Sequence, residues 1–227
     1  MSPSLLDEDQ RRRLEDVYAD RCAACNICVE SCPISGVGGL DIRKVLRLAL
    51  LGMDREVVDS KFPWVCTLCG RCEHACPMNV DLATMVRSAR SMRQREKVPG
   101  VLHKGVQTCL KTGNNVGMPG ADFLFLLEDL AAELAEELPG FEVSVDKKGA
   151  KYLFTVNSKE PFAEPDDMMH WWRILHAANE SWTVASENWE GVNWGLFTGD
   201  DAAMKEIVGR VVQNYKDLEC EYLVLPE

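Results

Sequence analysis

The 227-residue sequence predicts an α+β chain, a helical, cysteine-ligated first part followed by a small parallel α/β layer. Three observations predict it. Eight of the ten cysteines fall in two identical tight groups, Cys22 to Cys32 and Cys66 to Cys76. The apolar residues around and between those groups recur with a helical period. After a Gly-Asn-rich turn at 113–120, short β-branched and aromatic runs alternate with helical patterns.

The cysteines come first because they constrain everything near them. The groups read Cys22-Ala-Ala-Cys25-Asn-Ile-Cys28-Val-Glu-Ser-Cys32-Pro33 and Cys66-Thr-Leu-Cys69-Gly-Arg-Cys72-Glu-His-Ala-Cys76-Pro77, a repeat at a constant offset of 44 residues. Three thiolates two residues apart can curl round three corners of an iron–sulfur cube. A fourth in the same run is badly placed to close that cube, and in two-cluster ferredoxins it ligates the other one. Applied here, one [4Fe–4S] cluster takes Cys22, Cys25, Cys28 and Cys76, and the second takes Cys66, Cys69, Cys72 and Cys32. Structural zinc has no use for the third cysteine of each motif, which leaves a zinc-stabilised scaffold as the less favoured alternative. Disulfides suit a secreted chain, and no secretory signal is visible at the N-terminus.

The remaining elements follow in order. Residues 5–18 read as a polar helix. After Gly36, Gly38 and Gly39, Asp41 can cap a helix carrying Val45, Leu46, Leu48, Ala49 and Leu51, with Gly52 as its stop. Met53 to Ser60 gives another short helical turn, and Phe62-Pro63-Trp64 leads into the second motif. Asp81 to Arg95 is a longer helix with Leu82, Met85, Val86 and Ala89 on one face. This makes the first domain, residues 1–113, an α-helical ferredoxin domain. Residues 114–149 are a linker and an acidic amphipathic helix, with Phe123, Leu124, Leu126, Leu127, Leu130, Leu134 and Leu138 apolar. Residues 150–227 form an α/β half-domain: strand Lys151–Asn157, helix Asp166–Ala178, strand Trp182–Ala185, helix Asp200–Asp217 and strand Glu221–Leu225.

Other features exclude whole classes of function. Hydrophobic residues are 46% and charged residues 27%, an ordinary globular balance. The net charge of −11 offers no overall field for nucleic acid. No apolar stretch approaches the roughly 20 residues of a membrane span. No phosphate loop, dinucleotide fingerprint or nucleophile–base triad occurs, and no catalytic residue is assigned. The tryptophans at 171–194 read as core or interface, Cys109 and Cys220 as buried small hydrophobes, and the basic residues of 87–111, including Arg87, Arg90, Arg93 and Arg95, as a solvated face. His74 and Arg71 sit inside the second motif, where charge or hydrogen bonding could tune a cluster.

The cysteine motif, the helix Arg-Lys-Val-Leu-Arg-Leu-Ala-Leu-Leu-Gly at 43–52 and Trp-Val-Cys-Thr-Leu-Cys-Gly-Arg-Cys at 64–72 together resemble the small iron–sulfur subunit of heterodisulfide reductase. They are also similar to the N-terminal region of fused heterodisulfide-reductase-like proteins, such as the iron–sulfur subunit of sulfate-reducer membrane complexes. The resemblance covers residues 15–120. It implies an electron-transfer subunit relaying single electrons through two [4Fe–4S] clusters, with donor and acceptor subunits, and a membrane subunit in some complexes, as partners. Cluster-bearing thiolates and the lack of an export signal point to the cytoplasm, or to the inner face of a membrane complex. The second half resembles the first repeat of the cysteine-rich domain of the fused relatives, whose Cys-Cys-Gly element is replaced here by Glu190-Gly191-Val192-Asn193-Trp194-Gly195. Either it is a degenerate half-domain kept for docking, or the sequence is the N-terminal part of a longer protein; the expectation favours the second. In that case the alternative function is catalysis of disulfide, thiol or quinol redox chemistry at a cluster beyond residue 227.

Overall fold

The duplication seen in the cysteines is repeated in the backbone. The computed structural model describes residues 22–225. Each motif passes through two left-handed residues and then a single helical turn: Ala24 (φ 52°) and Asn26 (φ 69°) precede α1 (Ile27–Glu30), and Leu68 (φ 55°) and Gly70 (φ 70°) precede the matching turn Arg71–His74. Alternating left-handed residues with right-handed ones turns successive amides to one side, the arrangement that makes an anion-binding nest. Glycine adopts this conformation freely at position 70, whereas Ala24 and Leu68 hold it against the steric preference of an L side chain. The hydrogen bonds repeat as well. Ser35 N donates to Cys32 O and Asn79 N to Cys76 O, so the chain leaves both motifs through the same tight turn.

Between the motifs lie α2 (Ile42–Leu50), α3 (Asp54–Asp59) and α4 (Phe62–Val65), followed by α5 (Arg71–His74) and α6 (Leu82–Ser91). The cap expected at Asp41 forms, its carboxylate accepting from Lys44 N at 2.8 Å. Asp81 caps α6 in the same way, accepting from Thr84 N at 3.0 Å. The helical faces read from the sequence are the buried ones: Ile42, Val45, Leu46 and Ala49 pack with Val57, Phe62, Val80, Leu82, Met85, Val86 and Ala89 in one core. The helix expected to reach Arg95 ends at Ser91, and a 3-10 turn covers Arg95–Lys97. The helix expected over 5–18 lies outside the described residues.

Among the described residues the chain divides into two compact units, 22–103 with Leu196–Asp201, and Lys104–Gly195 with 202–225. The division falls inside α7 (Gly100–Thr112), an element the sequence reading did not assign.

The second unit is a mixed helix-and-sheet layer. β1 (Tyr152–Phe154) is central, paired in parallel with β2 (Trp182–Val184) on one side and β3 (Tyr222–Val224) on the other. The strands are three residues each, shorter than the runs read from the sequence, because the flanking residues turn away into loops. The connecting helices are α9 (Glu160–Ala163), α10 (Pro165–Ala177) and α12 (Asp201–Asp217), with α8 (Gly120–Glu137) before the sheet; α11 (Trp194–Thr198), which precedes α12 in the chain, belongs from Leu196 onward to the first unit. The apolar stripe of α8 is buried at Phe123, Leu127, Leu130, Ala131 and Leu134. Phe123 stacks on Trp189 with centroids 4.2 Å apart, and Trp172 stacks on Trp182 at 6.0 Å. Trp172, Trp182 and Trp189 are therefore core, while Trp171 is exposed. Cys109 and Cys220 are buried, as expected of small hydrophobes.

Candidate metal centre

Two hollows in the first unit account for all eight motif cysteines. One is walled by Cys22, Cys25, Cys28 and Cys76, with Arg43, Leu46, Val80 and Leu82 among its other residues. The second is walled by Cys32, Cys66, Cys69 and Cys72, with Ile42, Phe62, Leu82 and Val86. Each encloses about 380 Å3 of empty space, part of it open to solvent. The fourth cysteine of each motif thus stands with the first three of the other motif. Leu82 belongs to both walls, so one side chain is all that the hollows share.

Local backbone explains this exchange. Cys22, Cys25 and Cys28 lie along the left-handed loop and the first turn of α1, so they face one space. Cys32 lies beyond the end of α1, past Ser31, whose amide still donates to Ile27 O. The same holds for Cys66, Cys69 and Cys72 against Cys76 at α5. Proline after each fourth cysteine blocks continuation of the turn.

The donor set is all thiol. Neither wall contains a carboxylate or an imidazole, and the remaining lining is largely apolar. Among the described residues no three His, Cys, Asp or Glu side chains are gathered tightly enough to hold a single metal ion. Four thiols around an apolar space suit an iron–sulfur cube, whose ligands are cysteine thiolates. Burial pushes the Cys28 and Cys66 thiols up and that of Cys72 up to about 12. Without a metal these groups are neutral thiols at pH 7, so binding metal here must release protons. Cys69 is exposed and behaves oppositely: the Arg71 amide, the Thr67 hydroxyl and the Arg71 charge hold its thiol below the usual value. Leu68 N donates to Cys66 Sγ at 3.5 Å.

One residue beside the site was misread in the sequence. Arg90, taken with its basic neighbours as a solvated face, is 3% exposed. Its Nε donates to Pro63 O at 2.7 Å, and its two terminal nitrogens donate to Cys66 O and to Phe197 O, within the same compact unit. The guanidinium also lies 5.7 Å from the centre of the Trp64 ring. The signal was present: position 90 follows Val86 by four residues on the buried stripe of α6. Arg93 and Arg95 likewise spend donors on backbone carbonyls, of Val58 and Thr198 respectively. His74 has no assigned role in the geometry of either hollow. A wider charged hollow, lined by Asp54, Arg55, Asp59, Arg93 and Lys97, has no cysteine in its wall, and Arg55 and Arg93 both pair with Asp59.

At the place expected to correspond to a Cys-Cys-Gly element, Glu190 is 1% exposed. It accepts from Asn115 N at 2.6 Å and from Trp194 Nε1 at 2.9 Å. Burial still holds its carboxyl above the usual range despite these donors. Gly191 follows because the loop crosses β1 closely; a Cβ there would lie 2.2 Å from Thr155 Oγ1.

Residues 18–80 match the family described as 4Fe-4S dicluster domain. A 30% identical relative over 96 residues is a subunit of the H(2):CoB-CoM heterodisulfide,ferredoxin reductase of Methanothermobacter thermautotrophicus, covering 42% of this chain and 52% of that protein. The chain is similar to the iron–sulfur subunit of heterodisulfide reductase. An iron-sulfur subunit of the CoB--CoM heterodisulfide reductase of Methanopyrus kandleri is 31% identical over 124 residues, 51% of this chain and 64% of that protein. The Hdr-like menaquinol oxidoreductase iron-sulfur subunit of Archaeoglobus profundus is 25% identical over 234 residues, 86% of this chain and 41% of that protein. The chain therefore spans less than two thirds of the length of each of these relatives. The match supports 4Fe-4S clusters as the cofactor type. Among the described residues, no helix is long and apolar enough to cross a membrane.

Proposed function

We propose that the chain is an electron-transfer iron–sulfur subunit that relays single electrons through two [4Fe–4S] clusters, between donor and acceptor subunits of a heterodisulfide-reductase-like oxidoreductase complex. The observation that carries the reading is the partition of eight cysteines into two four-thiol hollows across a stretch matching the dicluster family. In this reading Cys22, Cys25, Cys28 and Cys76 hold one cluster, and Cys32, Cys66, Cys69 and Cys72 hold the other. The clusters, when bound, supply reversible one-electron redox chemistry. The chain's own residues hold the sulfurs, keep water out with Ile42, Leu46, Phe62, Leu82 and Val86, and direct amides such as those of Leu68 and Arg71 at cysteine sulfur. The place of work is the cytoplasm, within that complex.

The test is an anaerobic reductive titration of the purified chain. The reading expects uptake of two electrons per chain, one per cluster, returned in full to a one-electron acceptor. Uptake of none from a low-potential reductant contradicts it.

A second reading is favoured by the length of the A. profundus relative, of which this chain matches 41%. In it, the same relay feeds catalysis of disulfide, thiol or quinol redox chemistry at a cluster in sequence beyond residue 227. A reading frame continuing past Glu227 into a Cys-Cys-Gly element separates the two.

A further inference from the structure

We propose that Arg43 donates a hydrogen bond to the cluster held by Cys22, Cys25, Cys28 and Cys76, and so raises the reduction potential of that cluster. The inference rests on the two-cluster reading above. Its own support is a different pair of observations.

Arg43 is part of the wall that those four thiols line, and it brings the one charged side chain there. Its position is fixed from the sequence upward. Asp41 caps α2, Arg43 follows at the second helical residue, Leu46 one turn on lines the same hollow, and Val45 and Ala49 are buried on another face of that helix. Nε of Arg43 is buried and has no hydrogen-bond acceptor among the described residues; Nε of Arg93 is in the same condition, but Arg93 lies in neither cysteine wall, whereas Arg43 does. Buried donors are almost always satisfied, so one that is not marks a place where an acceptor belongs. Arg90, the buried arginine beside the other hollow, differs in this respect, since its Nε and both terminal nitrogens are spent on carbonyls. Sulfur of a metal-bound thiolate or of a cluster sulfide is the acceptor that an all-thiol hollow brings within its walls.

The sign of the effect follows from charge. One-electron reduction adds one negative charge to the cluster and makes or breaks no bond. A cationic N–H donor in an apolar wall favours the more negative state, because little solvent is present to screen it. Hydrogen bonds to sulfur and local charge are the levers by which a protein sets such potentials.

The experiment is an EPR-monitored redox titration of the full chain, purified anaerobically, with iron and acid-labile sulfide counted first. Arg43→Met is expected to keep its iron and to lower one of two midpoint potentials, leaving the other in place. Loss of about a tenfold preference for the reduced state corresponds to about 59 mV. The signal that moves is expected to be the one altered by Cys25→Ser, since Cys25 shares the wall with Arg43. No shift in either midpoint overturns the proposal, as does a shift confined to the signal altered by Cys69→Ser. Should Arg43→Met bind less iron, Arg43→Gln, which removes the charge, is titrated instead; a negative shift of the same midpoint supports the proposal, and an unchanged midpoint overturns it. Failure of the two-cluster reading shows separately, as about four iron rather than eight in the unsubstituted chain.

Discussion

Replacing Arg90 by alanine should destabilise the cysteine-bearing unit more than any other single charge change in it. The guanidinium is buried and donates to Pro63 O, Cys66 O and Phe197 O. Pro63 lies in α4, a helix of four residues, and Cys66 follows directly after it, so these carbonyls have no further helical turn to accept from. Arg90 is their cap. Hydrogen bonds from a charged donor contribute about 1.5–3 kcal/mol each, and breaking a buried charged network costs about 3–5 kcal/mol in total because the losses are not additive. For a denaturant slope of about 1–3 kcal/mol/M, this moves a urea midpoint down by roughly 1–5 M. The assay is anaerobic urea unfolding followed by the visible absorbance of the clusters. Arg90→Lys should fall between wild type and Arg90→Ala, since an ammonium cannot reach three divergent carbonyls as a planar fork does. A midpoint for Arg90→Ala within about 0.3 M of wild type would refute the reasoning, that margin being under 1 kcal/mol at any slope in the range. So would equal losses in the two variants.

Three further outcomes follow from the same geometry. Cys76→Ala should disturb the EPR signal altered by Cys25→Ser, and Cys32→Ala the signal altered by Cys69→Ser; if each instead disturbs the cluster of its own motif, the crossed assignment is wrong. Glu190 carries a carboxyl raised by burial above the unfolded value of about 4.3, so the stability it contributes is full below that pH and is lost as pH rises through its folded value. Glu190→Gln should therefore flatten the decline of unfolding free energy with pH above about 4.3, read from the fluorescence of the buried tryptophans, and an unchanged slope would count against a buried, raised carboxyl. Leu134, fully buried in the core of the second unit, should cost about 2–5 kcal/mol when cut to alanine; a loss under 1 kcal/mol would mean that α8 does not pack as described.

Much of this was legible in the sequence because the signals are local. The spacing of the cysteines, the Asp41 cap and the 3.6-residue stripes of α2, α6 and α8 each depend on residues within a turn or two of one another. The order of strands and helices after residue 150 was legible for the same reason, through β-branched and aromatic runs separated by helical patterns. What escaped was set by distant contacts. Arg90 looks like its exposed neighbours until Pro63, Cys66 and Phe197 are brought to it, although its place on the buried stripe was a clue. Helix α7 carries Gly100, Gly105 and two lysines, a composition with weak helical periodicity, and Gly105 is explained only by Trp194, whose ring would lie 3.1 Å from a Cβ at that position. Burial of Glu190 was equally hidden, because its partners Asn115 and Trp194 come from separate loops of the second unit. Strand lengths were overestimated past Phe154, where Thr155 N still donates to Val224 O but Val156 pairs instead with the loop at Trp189–Gly191.

The most direct test of the central claim is the count of iron and acid-labile sulfide per chain in protein purified without oxygen. Two clusters on eight cysteines predict about eight of each. About four of each would leave one of the two hollows without its cluster, and stoichiometric zinc with no sulfide, from cells replete with iron, would contradict the redox account altogether.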